Sequence, residues 1–102
     1  MNIQIISDNV EVSERYKQIV NDKLQDLDQL LIHFDRDMKY ATVKISRIKD
    51  KGEFILNFNM RLPGKKHIYA DAQDKIFQAA VSKLKAAVES QVRTYKGEIK
   101  SY

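Results

Sequence analysis

Residues 53–62, EFILNFNMRL, alternate in character almost without exception. Phe54, Leu56, Phe58, Met60 and Leu62 fall on one side, and Glu53, Ile55, Asn57, Asn59 and Arg61 on the other. A repeat of two is the spacing of a β-strand, where successive side chains point to opposite faces. A strand written this way has one wet face and one face that must be covered. The rest of the 102 residues therefore has to supply partner strands and an apolar layer for the dry side.

The flanking segments supply the strands. KYATVKISRI, residues 39–48, alternates Val43 and Ile45 with Thr42, Lys44 and Ser46, and the polar link KDKG, with Gly52, reads as a hairpin connection. Pro63-Gly64 marks the next turn, since Pro presets φ at one position and Gly permits positive φ at the following one. KKHIYADA, residues 65–72, then gives the third strand of an antiparallel meander, with Ile68, Ala70 and Ala72 inward. Asn2 to Ile6 reads as a separate short strand, and its pairing direction is left open by the pattern.

Two amphipathic helices supply the cover. From Ser13 as N-cap to about Ile32, apolar residues recur at gaps of three and four: Tyr16, Ile19, Val20, Leu24, Leu27, Leu30 and Leu31. HFDRDM forms the connection onward. A second helix, from Asp74 as N-cap to about Glu98, carries Phe77, Ala80, Val81, Leu84, Ala87, Val88, Val92 and Tyr95. The order β-α-β-β-β-α predicts an α+β fold. It is a two-layer sandwich with two helices packed on one face of a four-stranded sheet. Residues 1–102 make one domain, with no length for a second core.

Composition narrows the function. Without Cys there is no disulfide scaffold, thiolate nucleophile or cysteine zinc site. No basic segment followed by an apolar run opens the chain, and no window approaches a membrane span, so a soluble cytoplasmic protein is expected. His33 beside Asp35 and Asp37 matches no ligand spacing, and no phosphate loop, nucleophile elbow or Ser/His/Asp set is present. Neither enzyme chemistry nor a metal, cofactor or small-molecule substrate is expected. The net charge of +4 is uneven: residues 1–38 hold four bases and eight acids, residues 39–102 fourteen bases and six acids. Such a basic stretch favours an anionic partner, most commonly nucleic acid.

On the second helix, a stripe centred on Phe77, Leu84, Val88 and Tyr95 puts Lys83 and Thr94 on one flank and Lys85 and Lys96 on the other. Lys75 and Arg93 face outward. On the first helix Lys23 falls close to the apolar side, between Val20 and Leu27, where its stem could lie along the helix pair. These positions predict a cationic groove between or beside the helices, supplemented by Lys65 and Lys66 at the meander turn. Tyr69 is the one aromatic placed on the open sheet face, which favours recognition of folded RNA by backbone and shape over reading of unpaired bases.

The chain also resembles the short-form ribosome hibernation promoting factors, or sigma-54 modulation-like proteins. The likeness runs from MNIQI through KLQDL (Lys23–Leu27), LPGK (Leu62–Lys65) and DKIFQAAV (Asp74–Val81) to QVRTYK (Gln91–Lys96). It implies a fold like a double-stranded-RNA-binding domain in outline, and binding to 16S rRNA of the small subunit, with the 70S ribosome as partner. There such proteins overlap the mRNA channel and tRNA sites and stop translation. With the last motif ending close to Tyr102, a short form is expected, without the C-terminal domain that pairs two ribosomes and monomeric off the ribosome. Asp26, Gln29, Ala87, Ser90 and Thr94 stand where relatives commonly carry bases, so part of that cationic groove is missing. The alternatives are an RNA- or protein-binding module of the same fold that has lost the ribosomal site, and a self-associating protein using its meander face.

Overall fold

The alternating segment forms strand β3 (Glu53–Leu62), and none of its five inward residues is more than 8% exposed. The computed structural model describes residues 1–8, 10–31, 40–48, 50–62 and 66–99. The remaining strands are β1 (Asn2–Ser7), β2 (Tyr40–Ile48) and β4 (Lys66–Asp74), and the helices are α1 (Glu14–Gln25) and α2 (Phe77–Ile99). The sheet order is β1-β2-β3-β4. The α+β sandwich expected from the pattern is the fold observed.

Register follows the alternation. Val43 pairs with Phe58 and Ile45 with Leu56, while Phe58 pairs with Ala70 and Met60 with Ile68, so apolar residues line up across the meander. The β2–β3 hairpin closes through Gly52, whose φ of +64° only Gly adopts without strain and whose N–H donates to Ile48 O at 2.8 Å. The Pro63-Gly64 turn and the connection after Leu31 lie outside the described residues. β1 pairs parallel to β2, Ile3 beside Ala41 and Ile5 beside Val43. A parallel neighbour cannot be reached by a tight turn, and α1 carries the crossover.

Ser13 caps α1 as expected: its Oγ accepts from Tyr16 N–H at 3.2 Å. Two expectations need correction. The first helix is α-helical only to Gln25, then tightens into a 3-10 segment, Asp26–Leu31. That winding keeps Leu27 and Leu31 buried. It also brings Asp28 within 3.4 Å of the Met1 amino group, and Gln25 donates to Met1 O at 2.9 Å. The second correction concerns Asp74. It is not an N-cap but the last residue of β4, paired with Phe54. α2 starts at Phe77, with Ala80 N–H bonded to Ile76 O at 3.0 Å. The Asp74 carboxylate instead accepts from Ile76 N–H at 2.9 Å, turning the chain from strand to helix.

Three rings join the layers. Tyr16 of α1 stacks on Phe77 of α2 with centroids 4.1 Å apart, and Phe54 of β3 meets both edge-on, at 5.9 and 5.3 Å. The Arg47 guanidinium lies over the Phe54 ring, 5.2 Å from its centroid. Phe77 is 2% exposed. Phe77→Ala is expected to cost roughly 3–5 kcal/mol, read as a lower urea midpoint at unchanged slope. The half-buried Tyr16 should cost less on truncation; equal or reversed losses would show that the ring cluster is not centred on Phe77.

Candidate nucleic-acid interface

The helix layer places the predicted cations on two separate flanks of α2. Lys83 lies on the β4 side, where its Nζ meets Asp74 Oδ2 at 2.7 Å and Gln73 O at 3.5 Å. Lys85 lies on the other side and reaches Asp26 Oδ2 at 2.9 Å. One turn further along α2 the groove against the 3-10 segment is lined by Gln29, Leu30, Glu89 and Arg93. There Arg93 forks onto Glu89 Oε1 through Nη2 at 2.8 Å and Nε at 3.2 Å. The groove expected to be cationic is therefore interleaved with carboxylates, and Lys83, Lys85 and Arg93 are each bound to one.

Lys23, Lys75 and Lys96 differ: none forms an ion pair with a described carboxylate. Lys23 is exposed on α1, and Lys75 is exposed ahead of α2. Lys96 is half-buried in the last turn of α2, where its charge suits the negative end of the helix dipole. Lys75 and Lys96 sit near opposite ends of α2, roughly 30 Å apart at 1.5 Å rise per residue. Lys66 is exposed at the start of β4, beside a depression shared with Ser90 and Thr94. Lys65 lies outside the described residues.

The two acids in the groove differ in how they could have been found. Glu89 and Arg93 are four apart on one helix, a spacing that pairs side chains directly. Asp26 and Lys85 are 59 residues apart, and only the packing of the helices joins them. No group of three or more potential metal ligands occurs among the described residues; the His33 segment lies outside them. No helix among those residues is long and apolar enough to cross a membrane.

The architecture defines a class: an α+β domain with two helices on one face of a mixed sheet, cations distributed along the helices, and the opposite sheet face uncovered by either helix. Residues 3–100 match the family described as sigma 54 modulation protein / S30EA ribosomal protein, and the chain belongs to it. That family is not enzymatic. Among solved structures, a ribosomal subunit interface protein from Coxiella burnetii is similar at TM-score 0.79 and 24% identity, over 95% of this chain and 99% of that one. The Protein Y N-terminal domain of Thermus thermophilus gives 0.76 and 24%, over 93% and 99%. At that identity the likeness is one of fold. No curated protein is matched.

Asp74 titrates unusually. The Ile76 N–H, then the hydrogen bond and charge of Lys83, hold its carboxyl below the ordinary aspartate value. A pKa lowered on folding stabilises the native state above the unfolded value of about 3.9, and that contribution is lost as pH falls through the folded value. Asp74→Asn is therefore expected to flatten the fall of stability below about pH 4. Urea unfolding in small pH steps reads this directly, and parallel curves for variant and parent would refute it.

Proposed function

We infer that the protein binds the small ribosomal subunit, on 16S rRNA in the decoding region, and inhibits translation by occupying the space of mRNA and tRNA. The observation that carries this reading is family membership over nearly the whole chain, together with the fold. The mechanism needs no covalent step. A folded domain held by Lys and Arg contacts to phosphates excludes other ligands from the same volume, in the cytoplasm where ribosomes work and as a monomer when off them.

The cations contribute unequally. Lys23, Lys75 and Lys96 can meet phosphate without surrendering a described partner. Lys83, Lys85 and Arg93 must exchange a carboxylate for a phosphate, so each adds only the difference between two ion pairs. Exposed pairs are worth about 0–1 kcal/mol, which is small but comparable to what one phosphate contact returns.

Co-sedimentation with 70S ribosomes and 30S subunits across a salt series tests the reading. Binding should fall steeply with salt. Lys23→Ala, Lys75→Ala and Lys96→Ala should each weaken it and lower the log–log salt slope by about one. Lys85→Ala should change it less, and Asp26→Asn, which frees Lys85, should strengthen it at low salt. No co-sedimentation at low salt would exclude the function. The carboxylates of Asp26 and Glu89 in the groove favour one alternative, a module of this fold serving other RNA or a protein. Equal affinity for duplex RNA and for ribosomes in filter binding would decide for its RNA form.

A further inference from the structure

The sheet face turned away from the helices carries its own constellation. Tyr40 pairs with Asn2 of β1 and, one residue beyond the Ala41–Met60 pair, comes opposite Arg61, which pairs with His67. The next row is Gln4, Thr42, Asn59 and Tyr69. Tyr40 is 61% exposed and Tyr69 48%. Tyr40, Thr42, Asn59, Arg61 and His67 are among the residues that line an open depression of about 620 Å³.

Two of the three rings, those of His67 and Tyr69, have polar anchors; Tyr40 stands exposed beside them. His67 Nε2 lies 2.9 Å from Asn59 Oδ1, which can only accept, so the ring nitrogen is the donor. Asn57 donates to the Tyr69 hydroxyl at 3.2 Å. The Tyr69 backbone is tied twice to Gln91 of α2: its N–H donates to Oε1 at 3.2 Å, and its carbonyl accepts from Nε2. An aromatic surface anchored this way loses little side-chain freedom when a ligand stacks on it.

Charge decides what that ligand is. Neither of the two rows contains a carboxylate, while Arg61 stands between Tyr40 and His67. The acids of this face lie further along: Asp8, paired to Lys44 at 3.5 Å, and Asp71 at the following row, and Glu53 at the far end, where it accepts from Gln73. Residues 39–74 as a whole hold eight bases and four acids. Exposed rings around a cation, with amide and hydroxyl groups between them, fit a flat π-face attached to a phosphate.

We propose that this face binds single-stranded RNA, stacking unpaired bases on Tyr40 and Tyr69 with Arg61 on the intervening phosphate. Across two strands, roughly 10 Å, and two residues along, the rings are too far apart for one base and suit neighbouring bases of a splayed strand. Duplex RNA, whose bases are stacked on each other, cannot use them. The site is separate from the helix cations, so it stands or falls independently of the ribosomal reading above.

The test is an NMR titration of the full chain, labelled with nitrogen-15, with an oligoadenylate hexanucleotide and with a duplex of mixed sequence. The single strand should saturate and shift the amides of Tyr40–Lys44, Asn59–Arg61 and His67–Tyr69, and the duplex should leave these unmoved. Tyr40→Ala and Tyr69→Ala should each weaken binding roughly tenfold or more, whereas Tyr40→Phe and Tyr69→Phe, which keep the ring, should retain it. Lys23→Ala with Lys75→Ala should leave oligonucleotide binding unchanged while lowering ribosome co-sedimentation. The proposal is overturned by the absence of saturable binding, by shifts confined to the helices, by equal response to the duplex, or by alanine variants that bind as the parent does.

Discussion

Burial of the inward row of β3 beneath the helices is the interaction on which the other features depend. β3 lies between β2 and β4, and its Leu56 and Phe58 are fully enclosed. Covering them takes apolar area that neither helix supplies alone. α1 contributes Val20 and Leu24, the 3-10 segment Leu27 and Leu31, and α2 Val81, Leu84, Val88 and Val92, all at most 1% exposed. At about 25 cal/mol per Å² this shared cover is the main favourable term in folding. Because both helices serve one sheet face, they must lie side by side, and the polar residues on their facing flanks are brought together whatever those residues are. Lys85 meets Asp26 for that reason.

The same cover leaves β4 as an edge strand, and edges expose unpaired backbone groups. Gln91 answers this at one point, its side-chain amide presenting a donor and an acceptor to the backbone of Tyr69 much as another strand would. One residue of α2 thus limits edge pairing with a second copy and fixes the position of a ring on the opposite face of the sheet.

Much of this was legible in the sequence because it follows from periodicity. The alternation of β2, β3 and β4 and the gaps of the two helices identify nearly every buried residue, and the Ser13 cap is local chemistry. The opposite placing of Lys83 and Lys85 on α2 follows from 100° per residue. What was not legible depends on contacts distant in sequence. Asp74 looks like an N-cap until it is seen paired with Phe54. The parallel direction of β1 cannot be told from five residues of alternation. Asp26 reads as a missing base and turns out to be the partner of Lys85. Alternation alone puts Tyr40 and Tyr69 on the wet sides of their strands, but their spacing across the sheet is set by the registers of three strands, so the platform could not be placed beforehand.

Under the proposed function, the internal pairing of cations bears on selectivity more than on strength. Lys83, Lys85 and Arg93 each rest against a carboxylate at 2.9 Å or less. An RNA that offers one phosphate at a time gains little by displacing an acid, since the exchange is nearly balanced. A surface that presents several phosphates at fixed spacing, with the displaced Asp26 and Glu89 left in water, gains at several points while losing its own freedom only once. A helix layer of bare cations would bind both kinds of RNA, differing mainly in number of contacts. Under the proposed function, compensated cations raise the threshold for a flexible strand at the helix layer and leave an ordered phosphate surface ahead there, separately from what the sheet face binds.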